Sequence, residues 1–79
     1  MTYFPEIQLL RIGFPTHVNK GEIIFNRPED RRLSFTIPIK KISLFDFSTD
    51  TLKQGEWEVQ VTWTDGTQEY YLEGKLVVL

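Results

Sequence analysis

The stretch Gly55–Leu79, GEWEVQVTWTDGTQEYYLEGKLVVL, constrains the fold more than any other part of this chain. Trp57, Val59, Val61 and Trp63 alternate with Glu56, Glu58, Gln60, Thr62 and Thr64. Only an extended strand turns such a period of two into one apolar and one polar face. Asp65-Gly66 then supplies positive φ for a two-residue type I′ turn, so the segment reads as a β-hairpin. With that turn Thr64 is expected opposite Thr67, Val61 opposite Tyr70, Val59 opposite Leu72 and Trp57 opposite Gly74. A glycine there leaves room for the indole. The register sends Tyr70, Leu72, Leu76 and Val78 to the apolar face, and Glu69, Tyr71, Glu73 and Lys75 to the polar face beside Glu58 and Gln60.

The same periodicity recurs upstream. Leu33, Phe35, Ile37 and Ile39 alternate with polar residues in a half-buried strand, and Pro38 marks it as an edge or a bulge. Phe45 and Phe47 form a short strand, Glu22 to Asn26 another, and Ile7 to Phe14 a first strand of poorer pattern. Turn residues separate them at Pro15-Thr16, Asn19-Lys20-Gly21, Arg27–Asp30 and Lys53-Gln54-Gly55. No window carries a helical repeat of useful length. Six or seven short strands at this spacing predict an all-β fold, a small antiparallel sandwich or barrel, with residues 1–79 as a single domain.

Size and charge exclude several function classes. A chain of 79 residues buries only about 60–65% of the surface its unfolded form exposes, so the core is thin and the aromatic share of 14% matters for filling it. A formal net charge of −2 gives no attraction to a phosphate backbone or an anionic bilayer, and nucleic acid is not an expected partner. There is no cysteine, hence neither a disulfide nor a thiolate metal site. Apolar runs are short pieces such as Ile23-Ile24-Phe25, far below the roughly 20 residues that span a bilayer. Glu6, Arg11, Pro5 and Pro15 interrupt any signal-peptide core. The chain as given is therefore expected to be soluble, without direct membrane insertion.

Few residues invite a chemical reading. Trp57 and Trp63 could stack on a sugar or peptide, but they run in phase with Val59 and Val61, so these four with Tyr70 and Leu72 are assigned to the core. Tyr71, an aromatic between carboxylates on the polar face, is the candidate contact residue, with Glu58, Glu73 and Lys75 around it. His17 is the only histidine and Met1 the only methionine, too few donors for a metal site, so neither a metal nor another cofactor is expected. Glu56, Glu58, Glu69 and Glu73 lie on a flat face without the cleft that acid–base work requires. In the charged loop Asn26–Arg32, Arg27 is expected to pair with a carboxylate. With no phosphate loop, triad or nucleophile elbow, no enzymatic activity is expected.

The order of these elements resembles that of the FixH family. GEIIFNRPEDRRLSFTIPI (Gly21–Ile39), then LKQGEWEVQVTWTDGTQEYYLEGKLVV (Leu52–Val78), carry the likeness. It consists of a Gly before an apolar strand, an aromatic before Arg-Pro and an acidic turn, and later Gly-x-Trp, a second Trp, a turn Gly and a Tyr pair. LRIGFP (Leu10–Pro15) fits the strand before this block. The resemblance implies the extracytoplasmic, immunoglobulin-like β-sandwich of an accessory protein of cbb-type cytochrome c oxidase assembly. Such proteins are encoded with a copper-transporting ATPase and held at the periplasmic side by one N-terminal transmembrane helix. Membrane proteins of oxidase assembly are the implied partners. That helix does not precede Met1-Thr2-Tyr3, so either it has been trimmed away or the chain is a soluble relative. The likeness brings no Cys, Met or His cluster for copper, and it leaves the oligomeric state open. A carbohydrate- or ligand-binding sandwich module is the alternative, and it requires at least two coplanar exposed aromatics.

Overall fold

A computed structural model describes all 79 residues, and its regular structure is β throughout apart from two single 3-10 turns. The strands are β1 (Thr2–Phe4), β2 (Leu9–Gly13), β3 (Lys20–Asn26), β4 (Phe35–Lys40), β5 (Leu44–Ser48), β6 (Gly55–Thr64) and β7 (Glu69–Val78). They form a three-stranded sheet in the order β1-β2-β5 and a four-stranded sheet in the order β4-β3-β6-β7, every pair antiparallel. The fold is thus a small antiparallel β-sandwich, and Pro38 does lie in an edge strand, where its missing N–H breaks no ladder.

The alternation seen in the sequence becomes the packing between the sheets. Leu10 and Ile12 of β2 meet Ile23 and Phe25 of β3 and Trp57, Val59 and Val61 of β6 in one buried cluster. Phe25 and Phe47, from opposite sheets, sit with ring centres 4.7 Å apart, and Phe35 stacks on Phe25 at 4.8 Å. Such aromatic pairs contribute about 0.5–1.5 kcal/mol each beyond the area they bury, useful in so thin a core. Tyr70 and Leu72 are half-buried, because they lie toward the turn end of β7 at the margin of the cluster, whereas Leu76 and Val78 are buried.

The hairpin register differs from expectation by two residues. Thr64 pairs with Glu69, Val61 with Leu72, Val59 with Gly74 and Trp57 with Leu76. The loop residues are Gly66 and Thr67, closed by the Asp65 N–H donating to the Gln68 carbonyl at 3.2 Å. Only Gly66 has positive φ, at 103°, which a Gly-first two-residue turn needs, whereas type I′ needs it at both central residues. The Asp65 carboxylate selects this turn by accepting from the backbone N–H groups of Thr67 and Gln68, each at 2.8 Å. A slip of two preserves the faces, so Tyr71 stays outward, but Gly74 no longer makes room for Trp57. The space over Gly74 is taken by the Met1 side chain instead.

Other boundaries shift for local reasons. Leu33 does not belong to β4; it lies in the 3-10 turn Arg31–Leu33, whose start is capped by Asp30 Oδ1 accepting from Arg32 N at 3.2 Å. The strand expected over Ile7 to Phe14 is confined to Leu9–Gly13, because Ile7 closes the 3-10 turn Pro5–Ile7 and Gln8 is left-handed with φ 53°; β1 precedes that turn, outside the expected strand. β1, at three residues, is too short to show a period.

Candidate functional site

The outer face of the four-stranded sheet carries Glu58, Gln60 and Thr62 from β6 and Glu69, Tyr71, Glu73, Lys75 and Val77 from β7. The strand period places them together: each core residue of the hairpin forces its neighbour outward. Tyr71 stands opposite Thr62, Glu73 opposite Gln60, and Lys75 opposite Glu58. The structure therefore gathers Tyr71, Glu58, Glu73 and Lys75 on one surface.

Tyr71 is 56% exposed, and its hydroxyl donates to Glu73 Oε2 at 2.8 Å. That bond to a carboxylate, with partial desolvation and the charges of Glu73 and Glu58, raises the phenol above its ordinary pKa of 10.0. Tyr71 is accordingly a neutral donor held by its neighbour two residues along the strand. Glu58 is fixed from the other side: Asn26 Nδ2 donates to Glu58 Oε1 at 2.9 Å, while Asn26 Oδ1 accepts from Ser34 Oγ at 2.9 Å and Arg31 Nη1 at 3.2 Å. Lys75 Nζ lies 3.5 Å from Glu56 Oε1 with the side chain 69% exposed, an ion pair of little energetic weight. Between Glu58, Gln60, Glu73 and Lys75 is a shallow depression of about 330 Å³ floored by Gly74. Val77, 54% exposed on the same face, belongs to the surface as well. The inward positions of Leu76 and Val78 leave Val77 only the outer side.

The other singled-out residues fall elsewhere. Trp57 is 2% exposed and Trp63 7%, each with its indole N–H bonded: Trp57 to the Lys53 carbonyl at 2.9 Å, Trp63 to Thr16 Oγ1 at 3.1 Å. Trp63 stacks on Tyr70 at 5.4 Å, but its burial keeps it from forming a sugar platform, and Tyr71 has no coplanar exposed companion. His17 is exposed in the connection between β2 and β3, and no three His, Asp or Glu side chains converge to hold a metal.

Arg27 pairs with a carboxylate as expected, Nη2 donating to Glu29 Oε2 at 3.4 Å, but its burial was not expected. It is 4% exposed, its guanidinium lies 5.4 Å from the Trp57 ring centre, and Nη1 donates to the Lys53 carbonyl at 3.1 Å. The Glu29 side chain is 71% exposed, so this ion pair contributes little to holding the arginine inside. The arginine is thus a packing element of the loop end. Nothing in the charge pattern of the loop distinguishes it from Arg31 and Arg32, which stay on the surface.

What this surface offers is contact chemistry: an aromatic donor, two carboxylates, an ammonium and an aliphatic side chain on a rigid sheet. No helix is long and apolar enough to cross a membrane. Comparison with known proteins gives one assignment: the family model described as FixH matches residues 6–77, while no curated protein and no solved structure matches. That match runs from the turn before β2 to Val77 in β7 and so takes in every strand but β1, with the outer face; the chain belongs to the FixH family.

Proposed function

We propose that this chain is a non-enzymatic accessory domain that assists assembly of a membrane cytochrome oxidase through protein–protein contacts. The match to FixH over residues 6–77 is the observation that carries the reading. The setting that follows is extracytoplasmic, on the periplasmic side, with the domain held at the membrane by a helix outside the residues described, as the family resemblance implies. Placing β1, β2 and β5 in one sheet and β3, β4, β6 and β7 in the other supports an immunoglobulin-like arrangement, since the chain crosses between sheets after β2, β4 and β5.

The contact surface of this proposal is the outer face around Tyr71. A Tyr presents area and a hydroxyl donor at low entropic cost, and a rim of Glu58, Glu73 and Lys75 supplies the charge that orients a partner. The partner is a membrane protein of oxidase assembly that offers an extramembrane segment to this face. The test replaces Tyr71 by Ser in the membrane-anchored protein, verifies the fold by circular dichroism, and measures oxidase assembly and co-purification of assembly components. Reduced assembly with an intact fold is expected. Unchanged assembly for Tyr71→Ser and for charge reversals at Glu58 and Lys75 removes this face from the proposal.

A further inference from the structure

The strands at the sheet borders are not protected alike. β4 has Pro38 in its middle, and in the smaller sheet β1 has three residues and β5 five. β7 runs for ten residues with no proline and borders the four-stranded sheet. Its hydrogen-bonding direction follows from the turn. Asp65 and Gln68 are a bonded pair, so by alternation Trp63/Tyr70, Val61/Leu72, Val59/Gly74 and Trp57/Leu76 are bonded as well. Glu69, Tyr71, Glu73, Lys75 and Val77 therefore turn their N–H and C=O groups away from β6, and no backbone bond outside the ladders involves them. An unpaired row of this length is a template for another strand.

We propose that two copies of this chain join β7 to β7, antiparallel, about a two-fold axis at Gly74, merging two four-stranded sheets into one continuous sheet. The sequence of the edge is self-complementary in that register. Glu73 lies opposite Lys75 of the second copy and Lys75 opposite its Glu73. Tyr71 lies opposite Val77 on either side of these ion pairs, an aromatic matched with a β-branched residue, both more than half exposed in the single chain. On the inner face Leu72 meets Leu76, and Gly74 meets Gly74 at the axis, where neither strand brings a side chain of its own. The registers two residues away on either side are disfavoured, because one sets Glu73 against Glu73 and the other Lys75 against Lys75. A lysine on an edge ordinarily repels an incoming strand; here the incoming strand brings its own glutamate.

This inference uses the border of β7 and stands apart from the oxidase reading; its consequence for that reading is a single outer face presenting two copies of Tyr71. The experiment is sedimentation equilibrium of the chain alone, with no oxidase component present. A concentration-dependent dimer is expected. Lys75→Glu or Glu73→Lys alone should weaken it about tenfold or more, because each sets like charges opposite at both sites. An equimolar mixture of these two variants should recover the dimer, since one chain is then basic and the other acidic at both positions, and every cross-strand pair is again one of opposite charge. Recovery also proves both variants folded. Glu73→Pro, at a position whose N–H is not used within the chain, should abolish dimerisation while circular dichroism stays unchanged. A monomer at every soluble concentration overturns the proposal, as does a dimer indifferent to Glu73→Pro or a mixture that fails to recover.

Discussion

Arg27 and Trp57 donate to the same carbonyl: Nη1 of the arginine at 3.1 Å and Nε1 of the indole at 2.9 Å both reach Lys53 O. The guanidinium also covers the indole face, and it occupies the side of Gly55 where a Cβ would stand, at 2.8 Å from Nη2. Gly55 adopts φ of +117°, a conformation that L side chains rarely take, and it opens β6 directly after the loop that supplies Lys53. Arg27, distant in sequence, thus meets Lys53, Gly55 and Trp57 and fixes where β6 begins.

Gly55→Ala should therefore destabilise the domain by about 1–3 kcal/mol from backbone strain alone, with the displaced guanidinium adding to it. Arg27→Ala should cost about 1–3 kcal/mol through lost packing on the indole and a lost donor to Lys53. Arg27→Met should lose less, since the buried Nε has no partner to forfeit and the apolar stem is retained. Urea denaturation midpoints rank the three variants, and a midpoint for Gly55→Ala equal to that of the parent contradicts the account of this corner.

Trp57→Ala should cost about 3–5 kcal/mol, a large share of the stability of a domain this small. The loss combines the cavity among Phe35, Leu76 and Arg27 with one of the two donors to the Lys53 carbonyl, which keeps only Arg27 Nη1. Chemical denaturation followed by tyrosine fluorescence measures it, and an unchanged midpoint contradicts the burial of this residue.

The faces of β6 and β7 were legible in the sequence because alternation over ten residues survives a slip of two, so Tyr71, Glu58, Glu73 and Lys75 were grouped correctly even from a register that was wrong. The register itself was set by the Asp65 side chain, which captures two N–H groups and moves the loop by one residue; Asp-Gly supports either turn, and its side-chain bonds have no period to read. Arg27 was hidden for a similar reason. Its burial depends on Gly55 and Trp57, which approach it only through the pairing of β3 with β6. β1 leaves no pattern in three residues, and its place is shown by pairing with β2 and by Met1 lying over Gly74.

Isothermal titration with copper or zinc should show no stoichiometric binding to the chain. His17 is exposed without a second imidazole or a thiol to complete a ligand set, and a single nitrogen binds such ions only weakly. One-to-one binding that disappears in His17→Ala contradicts this expectation.

Acid should act on the hairpin through Asp65. Its carboxylate accepts from Gln68 N and Thr67 N, then from the hydroxyls of Tyr70 and Thr67, and these bonds hold it well below the ordinary value of 3.8. The sign follows from linkage: a group with a depressed folded pKa contributes stability above its unfolded value, and the contribution is lost as pH falls toward the folded one. Asp46, paired with Arg11, and Asp30, paired with Arg32, are shifted in the same direction, so the parent chain should lose stability progressively below roughly pH 4 from all three. Asp65→Asn should show a shallower decline over that window, because one proton-linked group is gone, together with a lower stability at neutral pH from the weaker acceptor. The carboxylate is solvent-exposed, so the comparison is made at low salt, where screening is least. Melting temperatures of the parent and Asp65→Asn from pH 7 down to about 2 provide the measurement, and parallel curves contradict the assignment of Asp65 as the acid-sensitive clasp of the turn.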